Sequence, residues 1–407
     1  MSVDVELNNL EDALKTRLNG KITKQTVTRL TPPGENFCSL ILKVDLDTEE
    51  NGKKETVHTV VKLLPLQEKF KEMFRSCMKN EIQWYSKIIP LFKEFQEECG
   101  FEETSDFFPE MYGGRLSLDS QKTEPDDDSI LVLENLIVDG YKNEDRYIGF
   151  DLKTSKNILR RLATFHMGFI AMKLKKPELF EKEVKTYLEE MKPPPPPKDG
   201  GDPFPNPNEY ILKAIGENPE CSPLISKLEV VLQHDFFKTV PEIVEPWATV
   251  SHSDFWVNNI MVKYEGDDVK IKFVDFQMCR YRSFAFDLIF FLLTSVQTPI
   301  QKQYFDELIR YYYFEFVKNL KLFKVDLSLS YEEYLEELKT AASFEVHHSI
   351  FFSTIIFGTK NAEYDYSTDV NFDPGNHMLS MVKSMPPNQK EKMAVMTLLA
   401  AKRGWLD

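Results

Sequence analysis

Two short polar stretches, sixteen residues apart, constrain this chain more than any other part of its sequence. The first runs from His252 to Asn259 and reads HSDFWVNN, and the second begins at Asp275 and reads DFQ. Asp254 can orient a hydroxyl nucleophile, while Asn259 and Asp275 offer the oxygen ligands that Mg²⁺ prefers. Magnesium-dependent phosphoryl transfer needs this set of groups, so we expect a fold that brings the two stretches side by side.

Local patterns place the candidate residues of both stretches next to strands. Residues 269–274 alternate between apolar and charged side chains, which predicts a strand ending at Asp275. Asp254 lies in a polar loop, which His252 is expected to brace through hydrogen bonds. Taken singly, Asp254 and Asn259 could cap turns, which is common for both residue types. Combined with Asp275 they favour phosphoryl transfer, with Asp254 orienting the acceptor proton and the other two holding a metal.

A lone lysine in an apolar run is the candidate ligand for phosphates. Lys62 stands in the run VVKLL, where a charged group should be paired or should reach an anion. The alternative is an edge lysine whose ammonium group extends into solvent. A carboxylate on the following helix would position Lys62, and we choose Glu81 over Glu72 for this part.

Two further segments are candidates for nucleotide contacts. The stretch from Leu30 to Ser39, which includes Gly34 and Asn36, precedes the first strand and could place backbone N–H groups over phosphates. It contains a single glycine, and an ordinary turn explains it equally well. Glu134 ends an apolar run, where neighbouring backbone groups could bind an adenine edge.

Other polar residues near these motifs have structural interpretations. We interpret Asp287 as an N-terminal helix cap or as a partner of the HSDFWVNN loop. His166 is expected to be a paired core histidine, and His347 with His348 lacks a third ligand at a metal spacing. Gln277 stands where a protein kinase carries the glycine of D-F-G, so the sequence does not support an activation-loop flip of that kind.

The order of strand-like and helix-like patterns predicts an α+β, two-lobed protein kinase-like fold. A small β-rich lobe is expected over residues 1–134, and a larger, mainly helical lobe over residues 135–407 with a proline-rich exposed loop at 193–207. The turn signal Asn51-Gly52 predicts an antiparallel pair in the first lobe. The predicted strands cover 37–46, 56–64 and 129–134, and the predicted helices cover 67–97, 152–173, 303–323 and 331–339.

Composition narrows the range of partners. The formal charge of −15 over 407 residues disfavours binding to a nucleic-acid backbone, which needs clustered Lys and Arg. The longest apolar stretch, near 284–293, is interrupted by Asp287 and is too short to span a bilayer. The N-terminal residues lack the basic and apolar pattern of a secretory signal. Five scattered cysteines without C-x-x-C spacing indicate a reducing compartment, and we expect a cytoplasmic protein.

With these residues assembled, the chain resembles the insect ecdysteroid kinase-like family, also described as CHK kinase-like, within the wider choline kinase and aminoglycoside phosphotransferase fold. The resemblance extends from about residue 30 to 295, and HSDFWVNN with DFQ is its most specific part. The matching segments are Pro33 to Ser39, Val61-Lys62, Phe74 with Glu81 and Tyr85, Leu131 to Leu136, Leu162 to His166, His252 to Asn259, Val274 to Gln277 and Asp287-Leu288.

The resemblance implies ATP-dependent phosphorylation of a hydroxyl group on a small molecule. By this likeness Asp254 is the base, Asn259 and Asp275 bind Mg²⁺, Lys62 binds the ATP phosphates, and Glu81 pairs with Lys62. Glu134 and Leu136 would lie along the ATP site, and Gly34, Asn36 and Ser39 would cover the phosphates. The likeness also implies a role in insect hormone inactivation or detoxication, and we expect a monomer.

The acceptor stays open at this point. A lipophilic alcohol, an ecdysteroid or another steroid or xenobiotic, could bind aromatic residues in the segments 311–316 and 344–366, although aromatics at helical spacing are more often core. A choline- or ethanolamine-like substrate would instead need acids and aromatics around a cation. A third alternative is a non-catalytic protein that binds a nucleotide or a lipophile.

Overall fold

A five-stranded antiparallel sheet forms the first part of the protein in the computed structural model, with the strand order β1-β2-β3-β5-β4. The structure describes residues 7–14, 20–31, 39–101, 106–188, 206–233, 242–358 and 374–407. A short helix, α1 (Leu10–Leu14), packs on this sheet. The strands are β1 (Lys21–Arg29), β2 (Leu40–Glu50), β3 (Lys53–Leu63), β4 (Met111–Arg115) and β5 (Ile130–Glu134).

The β2–β3 hairpin positions Lys62. Asn51 and Gly52 both have positive φ angles, 51° and 79°, as a two-residue type I′ turn requires, and Glu50 pairs with Lys53 across it. This confirms the predicted antiparallel pair and its turn. Side chains alternate along a strand, so Val61 enters the small core shared with α1 while Lys62 points to the opposite face.

A long helical segment lies between β3 and β4. It consists of α2 (Glu68–Gln83), one π-helical turn over Trp84–Ile88, and α3 (Ile89–Cys99), and the predicted helix over 67–97 is thus confirmed. Pro90, at the start of α3, cannot donate a backbone hydrogen bond and crowds the carbonyl four residues earlier. The wider π-helical turn accommodates this proline without ending the helix.

The rest of the chain is mainly helical, which confirms the α+β class with a small β-rich part and a larger helical part. The predicted boundary at residue 134 stays a prediction, and residues 193–205 of the proline-rich loop lie outside the described residues. The later helices are α4 (Leu152–Lys175), α5 (Pro177–Glu183), α6 (Asn208–Gly216), α7 (Ile225–Leu232), α8 (Ala285–Thr294), α9 (Thr298–Leu322), α10 (Tyr331–Gly358), α11 (Pro374–Lys383) and α12 (Pro387–Lys402). The short strands are β6 (Lys142–Asn143), β7 (Ala248–Ser251), β8 (Ile260–Glu265), β9 (Asp268–Phe273) and β10 (Arg280–Ser283).

Several helix boundaries have clear local causes. Helix α4 begins where the carboxylate of Asp151 accepts a hydrogen bond from the Thr154 N–H at 2.7 Å. Helix α10 extends well past the predicted end at residue 339, because its later turns pack against α8. All ten residues of α8 are buried. Among the described helices, none combines the length and apolar character needed to cross a membrane.

One buried lysine gives a prediction for the pH dependence of stability. Lys392 in α12 is 5% exposed, donates to the Val296 carbonyl at 2.5 Å, and has its pKa lowered by burial from 10.5 to about 7. Between these values the unfolded chain binds a proton that the folded chain does not, so the free energy of unfolding should increase with pH by up to about 1.4 kcal/mol per unit. Below about pH 7 the cost of the buried charge is fully present.

Urea unfolding between about pH 7 and 9 tests this expectation. Lys392→Met should remove the contribution of Lys392 to this pH dependence. The free energies of unfolding of the variant and the wild type should therefore differ less as pH rises. Lys318→Met, at a side chain 61% exposed, is the matched control and should leave the pH dependence unchanged. Equal pH dependence in Lys392→Met and the wild type would contradict the prediction.

Candidate active site

The HSDFWVNN loop connects β7 to β8 and is held by its own hydrogen bonds. The Asn259 side-chain N–H group donates to the backbone carbonyl and to the carboxylate of Asp254, both at 2.8 Å. The Asn259 backbone N–H donates to the Trp256 carbonyl at 2.9 Å. Ser253 adopts a left-handed conformation with φ 66°. These contacts fix the Asp254 carboxylate at the surface of the loop, where it is half-buried.

Asp275 follows β9, as expected, and lies beside this loop. The Val274 N–H donates to the Asn259 carbonyl at 3.0 Å, which joins the two motifs directly. Asp275 has a positive φ of 69°, a conformation that non-glycine residues seldom adopt outside special sites. One carboxylate oxygen lies 2.6 Å from Lys62 Nζ, and the other accepts from the Gln277 amide at 3.2 Å.

Lys62 links the sheet, the long helix and the DFQ segment. Its ammonium group lies 2.5 Å from Glu81 and 2.6 Å from Asp275. Burial alone would lower the pKa of Lys62, but the charges of Asp275 and Glu81 outweigh it and raise that pKa. Lys62 therefore stays charged at neutral pH. Glu72, which the sequence also offered, pairs with Arg75 on the exposed side of α2.

Aromatic packing holds the DFQ segment from behind. Phe276 is fully buried and stacks on Trp84 of the π-helical turn, with ring centroids 4.7 Å apart and planes at 9°. Its ring also lies 4.8 Å from the His252 ring. The Asn80 side chain donates to the Gln277 carbonyl at 3.3 Å. The long helix and the DFQ segment are thus packed as one unit.

Asp287 is the centre of a buried network under the HSDFWVNN loop. Its carboxylate accepts from the His252 N–H at 2.6 Å, the Ser253 N–H at 2.8 Å and the Ser251 hydroxyl at 2.7 Å. The His166 ring lies 3.0 Å away. Burial opposes the ionised form, but the hydrogen bond and charge of His166 dominate and lower the pKa of Asp287. Of the two interpretations, the loop partner is right and the helix cap is wrong, because Asp287 lies inside α8, two residues after its first residue.

The two histidines in this region have structural partners. His252 Nε2 donates to the Val274 carbonyl at 2.9 Å, and burial lowers the pKa of His252, so the ring is neutral and braces the loop as expected. His166 is fully buried between Asp287 and the Tyr312 hydroxyl, which lies 2.7 Å from Nδ1. Neither ring is positioned as a free base.

The electrostatics at Asp254 suit a proton acceptor near neutral pH. Burial and, next, the negative charge of Asp275 raise the pKa of Asp254 to about 7, against the hydrogen bond from Asn259. A carboxylate with such a pKa can accept a proton from a hydroxyl group as that group becomes more acidic during transfer. The role of Asp254 as a base stays a prediction.

The oxygen atoms of Asn259 and Asp275 are the candidate ligands for Mg²⁺. Asn259 uses its amide nitrogen on Asp254, so its amide oxygen is the atom left for a cation. With the Asp275 carboxylate this gives two hard oxygen ligands, which suits a metal that keeps water and phosphate oxygens in its shell. Within the described ranges, no cluster of three or more His, Cys, Asp or Glu side chains could hold a metal ion.

The predicted nucleotide-contact residues are only partly described. Gly34 and Asn36 lie outside the described residues, whereas Ser39 is buried directly before β2. The Glu134 N–H donates to the Glu110 carbonyl at 2.8 Å, and the Asn135 N–H lies 3.4 Å from the His58 carbonyl. Adenine binding along this segment therefore cannot use these two N–H groups without breaking these bonds.

Leu136, the remaining residue of the predicted adenine segment, is 3% exposed. Its carbonyl accepts from the Asp139 N–H at 3.2 Å and the Tyr141 N–H at 3.1 Å, which closes a turn after β5. The turn gives the segment a fixed shape. Adenine binding by Glu134 and Leu136 stays a prediction.

The aromatic segments divide between the main core and a smaller hydrophobic cluster. Tyr312 and Phe316 are fully buried in the main core, so the segment 311–316 contributes chiefly to packing. Part of α10 instead packs against the HSDFWVNN loop. Phe352 packs edge-on against Trp256, with ring centroids 5.0 Å apart. We call this group the Trp256 cluster, and its members are Trp256, Phe290, Ile356 and Phe357 with Tyr147 and Phe352 at its edge.

Comparison with known proteins gives one strong match. The model of the ecdysteroid kinase-like family matches residues 33–325 of the chain. No curated protein matches this chain. A Plasmodium vivax ethanolamine kinase structure aligns over 93% of this chain and 86% of its own at 12% identity, with a TM-score of 0.42. A microcompartment-associated aminopropanol kinase aligns over 94% and 95% at 9% identity, also with a TM-score of 0.42. These scores are too low for either structure to carry a conclusion about function.

Proposed function

The chain belongs to the ecdysteroid kinase-like family, and we propose that its acceptor is a lipophilic alcohol, an ecdysteroid or a related steroid or xenobiotic. Membership of the family makes the protein a small-molecule kinase, an ATP-dependent phosphotransferase that acts on an alcohol group.

The observation that carries the assignment of residues is the set of contacts that joins Lys62 to Asp275, the adjacent Val274 to Asn259, and Asn259 to Asp254. In the proposed reaction the acceptor oxygen attacks the γ-phosphorus of ATP, the bond to the β–γ bridging oxygen breaks, and ADP leaves. Asp254 orients the acceptor hydroxyl and takes its proton. Lys62, held by Glu81, binds the ATP phosphates with a charge that burial does not remove.

Mg²⁺ is the proposed metal, and the Asn259 amide oxygen and the Asp275 carboxylate would hold it. When bound, such an ion would neutralise charge on the transferred phosphate. Lys62 occupies one oxygen of Asp275 and Gln277 contacts the other, so these two residues orient the carboxylate. His252 supports the same region by holding the backbone at Val274.

The Trp256 cluster supports a lipophilic acceptor. Trp256 lies two residues after Asp254, and the cluster continues through Phe352 and Phe290, so a group of mostly buried apolar side chains, with Tyr147 and Phe352 partly exposed at its edge, begins beside the proposed base. Apolar and aromatic walls with a few polar groups are typical of sites for small lipophilic ligands. A choline-like cation would need carboxylates facing the aromatic rings, and the buried acid on this side, Glu345, is engaged with His348.

The biological setting is proposed from the family resemblance. The family's insect members suggest a role in hormone inactivation or detoxication, and we propose a cytoplasmic monomer. The free thiols of Cys77, Cys99, Cys221 and Cys279 are consistent with a reducing compartment.

A panel of acceptors tests the proposed function. Purified protein with ATP and Mg²⁺ should phosphorylate steroid or other polycyclic alcohols, identified by mass spectrometry of the phosphorylated product. Choline, ethanolamine and an aminoglycoside serve as polar alternatives. Transfer to one of the polar alcohols alone would contradict the lipophilic acceptor while leaving the kinase activity in place.

Two controls complete the panel. Chelation of divalent metal should abolish transfer, and adding back Mg²⁺ should restore it, because the cation would supply the positive charge that the neutral Asn259 and the anionic Asp275 cannot supply to the transferred phosphate. Full activity after chelation would contradict the proposed metal. Binding of Mg-ATP without transfer to any hydroxyl compound would favour the non-catalytic alternative.

A further inference from the structure

Asn143 contacts the HSDFWVNN loop from a neighbouring strand. It ends β6, which pairs antiparallel with β8, the strand that follows the loop. Its side-chain N–H group donates to the Asn258 carbonyl at 2.7 Å. The carbonyls of Ile260 and Val257 are farther from the same nitrogen, at 3.3 Å and 3.5 Å. Asn143 therefore bonds to the backbone immediately before Asn259.

The backbone is held on both sides of Asn259. The Asn258 carbonyl and the Asn259 N–H belong to one planar peptide unit. Asn143 binds the carbonyl of this unit, and the N–H donates to the Trp256 carbonyl at 2.9 Å. The next peptide unit is held through the Asn259 carbonyl, which accepts from the Val274 N–H at 3.0 Å. These bonds fix the direction in which the Asn259 side chain leaves the loop.

The direction of the Asn259 side chain matters for the proposed metal site. Its amide nitrogen donates to the Asp254 carboxylate, and its amide oxygen is the proposed ligand. Hydrogen bonds that orient a metal ligand without touching the metal change metal affinity by about 10- to 100-fold. Asn143 is exposed, so water can bind the Asn258 carbonyl when the side chain is removed. Its loss should therefore cost little stability.

We propose that Asn143 is a positioning residue for the metal site and that its hydrogen bond to Asn258 holds the amide oxygen of Asn259 in place for a divalent cation. This inference rests on the proposed function, in which Asn259 and Asp275 hold Mg²⁺. It extends that site to a residue that belongs to neither motif and does not itself contact the metal.

Asn143→Asp is the variant that tests this role most directly. Aspartate has nearly the shape of asparagine but cannot donate a hydrogen bond to the Asn258 carbonyl. Its added negative charge would by itself attract a cation, so charge and positioning predict opposite changes in metal affinity. Asn143→Ala removes the donor without adding charge. Asn157→Asp is the matched control, because the Asn157 side chain also donates to a backbone carbonyl, at 3.0 Å, but on α4 and outside both motifs.

Binding of Mn²⁺ provides a measurement that does not depend on turnover. Mn²⁺ favours the same oxygen ligands as Mg²⁺, and water proton relaxation reports its binding to the protein in the presence of a non-hydrolysable ATP analogue. The Kd of Mn²⁺ should rise about tenfold in Asn143→Asp and Asn143→Ala and stay at the wild-type value in Asn157→Asp. The Mg²⁺ concentration for half-maximal phosphate transfer should rise in parallel. Saturating Mg²⁺ should restore most of kcat, and the melting temperatures should stay close to that of the wild type.

A double-mutant cycle with Asn259→Ala shows whether the effect passes through Asn259. Asn259→Ala should itself weaken Mn²⁺ binding, and adding Asn143→Asp to it should weaken binding no further. Wild-type affinity in both Asn143 variants, or an equal loss in the Asn259→Ala background, would overturn the inference and leave the metal assignment standing. Wild-type affinity in Asn259→Ala would instead refute Asn259 as a metal ligand, and the role of Asn143 would fail with it.

Discussion

Asp254→Asn is expected to lower kcat by about 100- to 10,000-fold and to leave ATP binding unchanged. The amide oxygen can still accept the hydrogen bond from Asn259, so the loop keeps its shape, but an amide cannot take a proton from the acceptor hydroxyl. The measurements are kcat from mass-spectrometric detection of product and the Kd of Mg-ATP from calorimetry. Loss of turnover at constant affinity is the result expected for a residue that acts in the transfer step.

Asp267→Asn is the matched control for this variant. Asp267 is fully exposed near Lys153, outside both motifs, so the same chemical change there should leave kcat and nucleotide affinity at wild-type values. Wild-type turnover by Asp254→Asn would remove Asp254 from the proposed mechanism. Joint loss of turnover and of ATP binding would indicate that the loop had rearranged.

Asp287→Ala is expected to lower the free energy of unfolding by about 3–5 kcal/mol. The buried carboxylate receives bonds from Ser251, His252 and Ser253, and its loss leaves two backbone N–H groups without their acceptor. Because the pKa of Asp287 is lowered on folding, this stabilisation is present above its ordinary value of 3.8 and is lost as pH falls below it. Chemical denaturation at neutral and acidic pH measures both effects.

Asp306→Ala provides the comparison for Asp287. Its carboxylate pairs with Lys402 and with Arg403, and 60% of its side chain is exposed, so its removal should lower the free energy of unfolding less than removal of the buried Asp287 carboxylate. A loss in Asp287→Ala no larger than in Asp306→Ala would show that the buried network contributes little. The stability difference between Asp287→Ala and the wild type should narrow as pH falls below about 3.8, because the unfolded wild-type chain then binds a proton at Asp287 that the folded chain does not.

The parts predicted from sequence are those that depend on local chemistry. The Asn51-Gly52 turn could be recognised because only a few residue types tolerate two successive positive φ angles. Helix α4 could be recognised from its apolar period. The choice of Glu81 as the partner of Lys62 followed from its place on the next helix, and the structure does bring these two side chains together.

The parts that sequence analysis missed depend on contacts between distant segments. Gln277 was read as the absence of a glycine, whereas in the structure its amide orients Asp275. Two interpretations of Asp287 stayed open in the sequence. The loop donors that converge on its carboxylate lie more than thirty residues away in the chain, so no local pattern indicates these contacts. The pairing of His348 with Glu345 has a helical spacing that could have revealed it, but many such pairs are simply solvated.

The π-helical turn at Trp84 has a consequence for how the enzyme can be controlled. It joins α2 to α3 without a break. Phe92 of α3 stacks on Phe169 of α4 with ring centroids 4.5 Å apart. The helix that carries Glu81 is therefore anchored to the same core as the HSDFWVNN loop. An on–off switch that swings this helix outwards would have to pull Trp84 off Phe276 and Phe92 out of the interior, at the cost of several buried aromatic contacts. We therefore expect that this enzyme is not regulated by an outward swing of that helix.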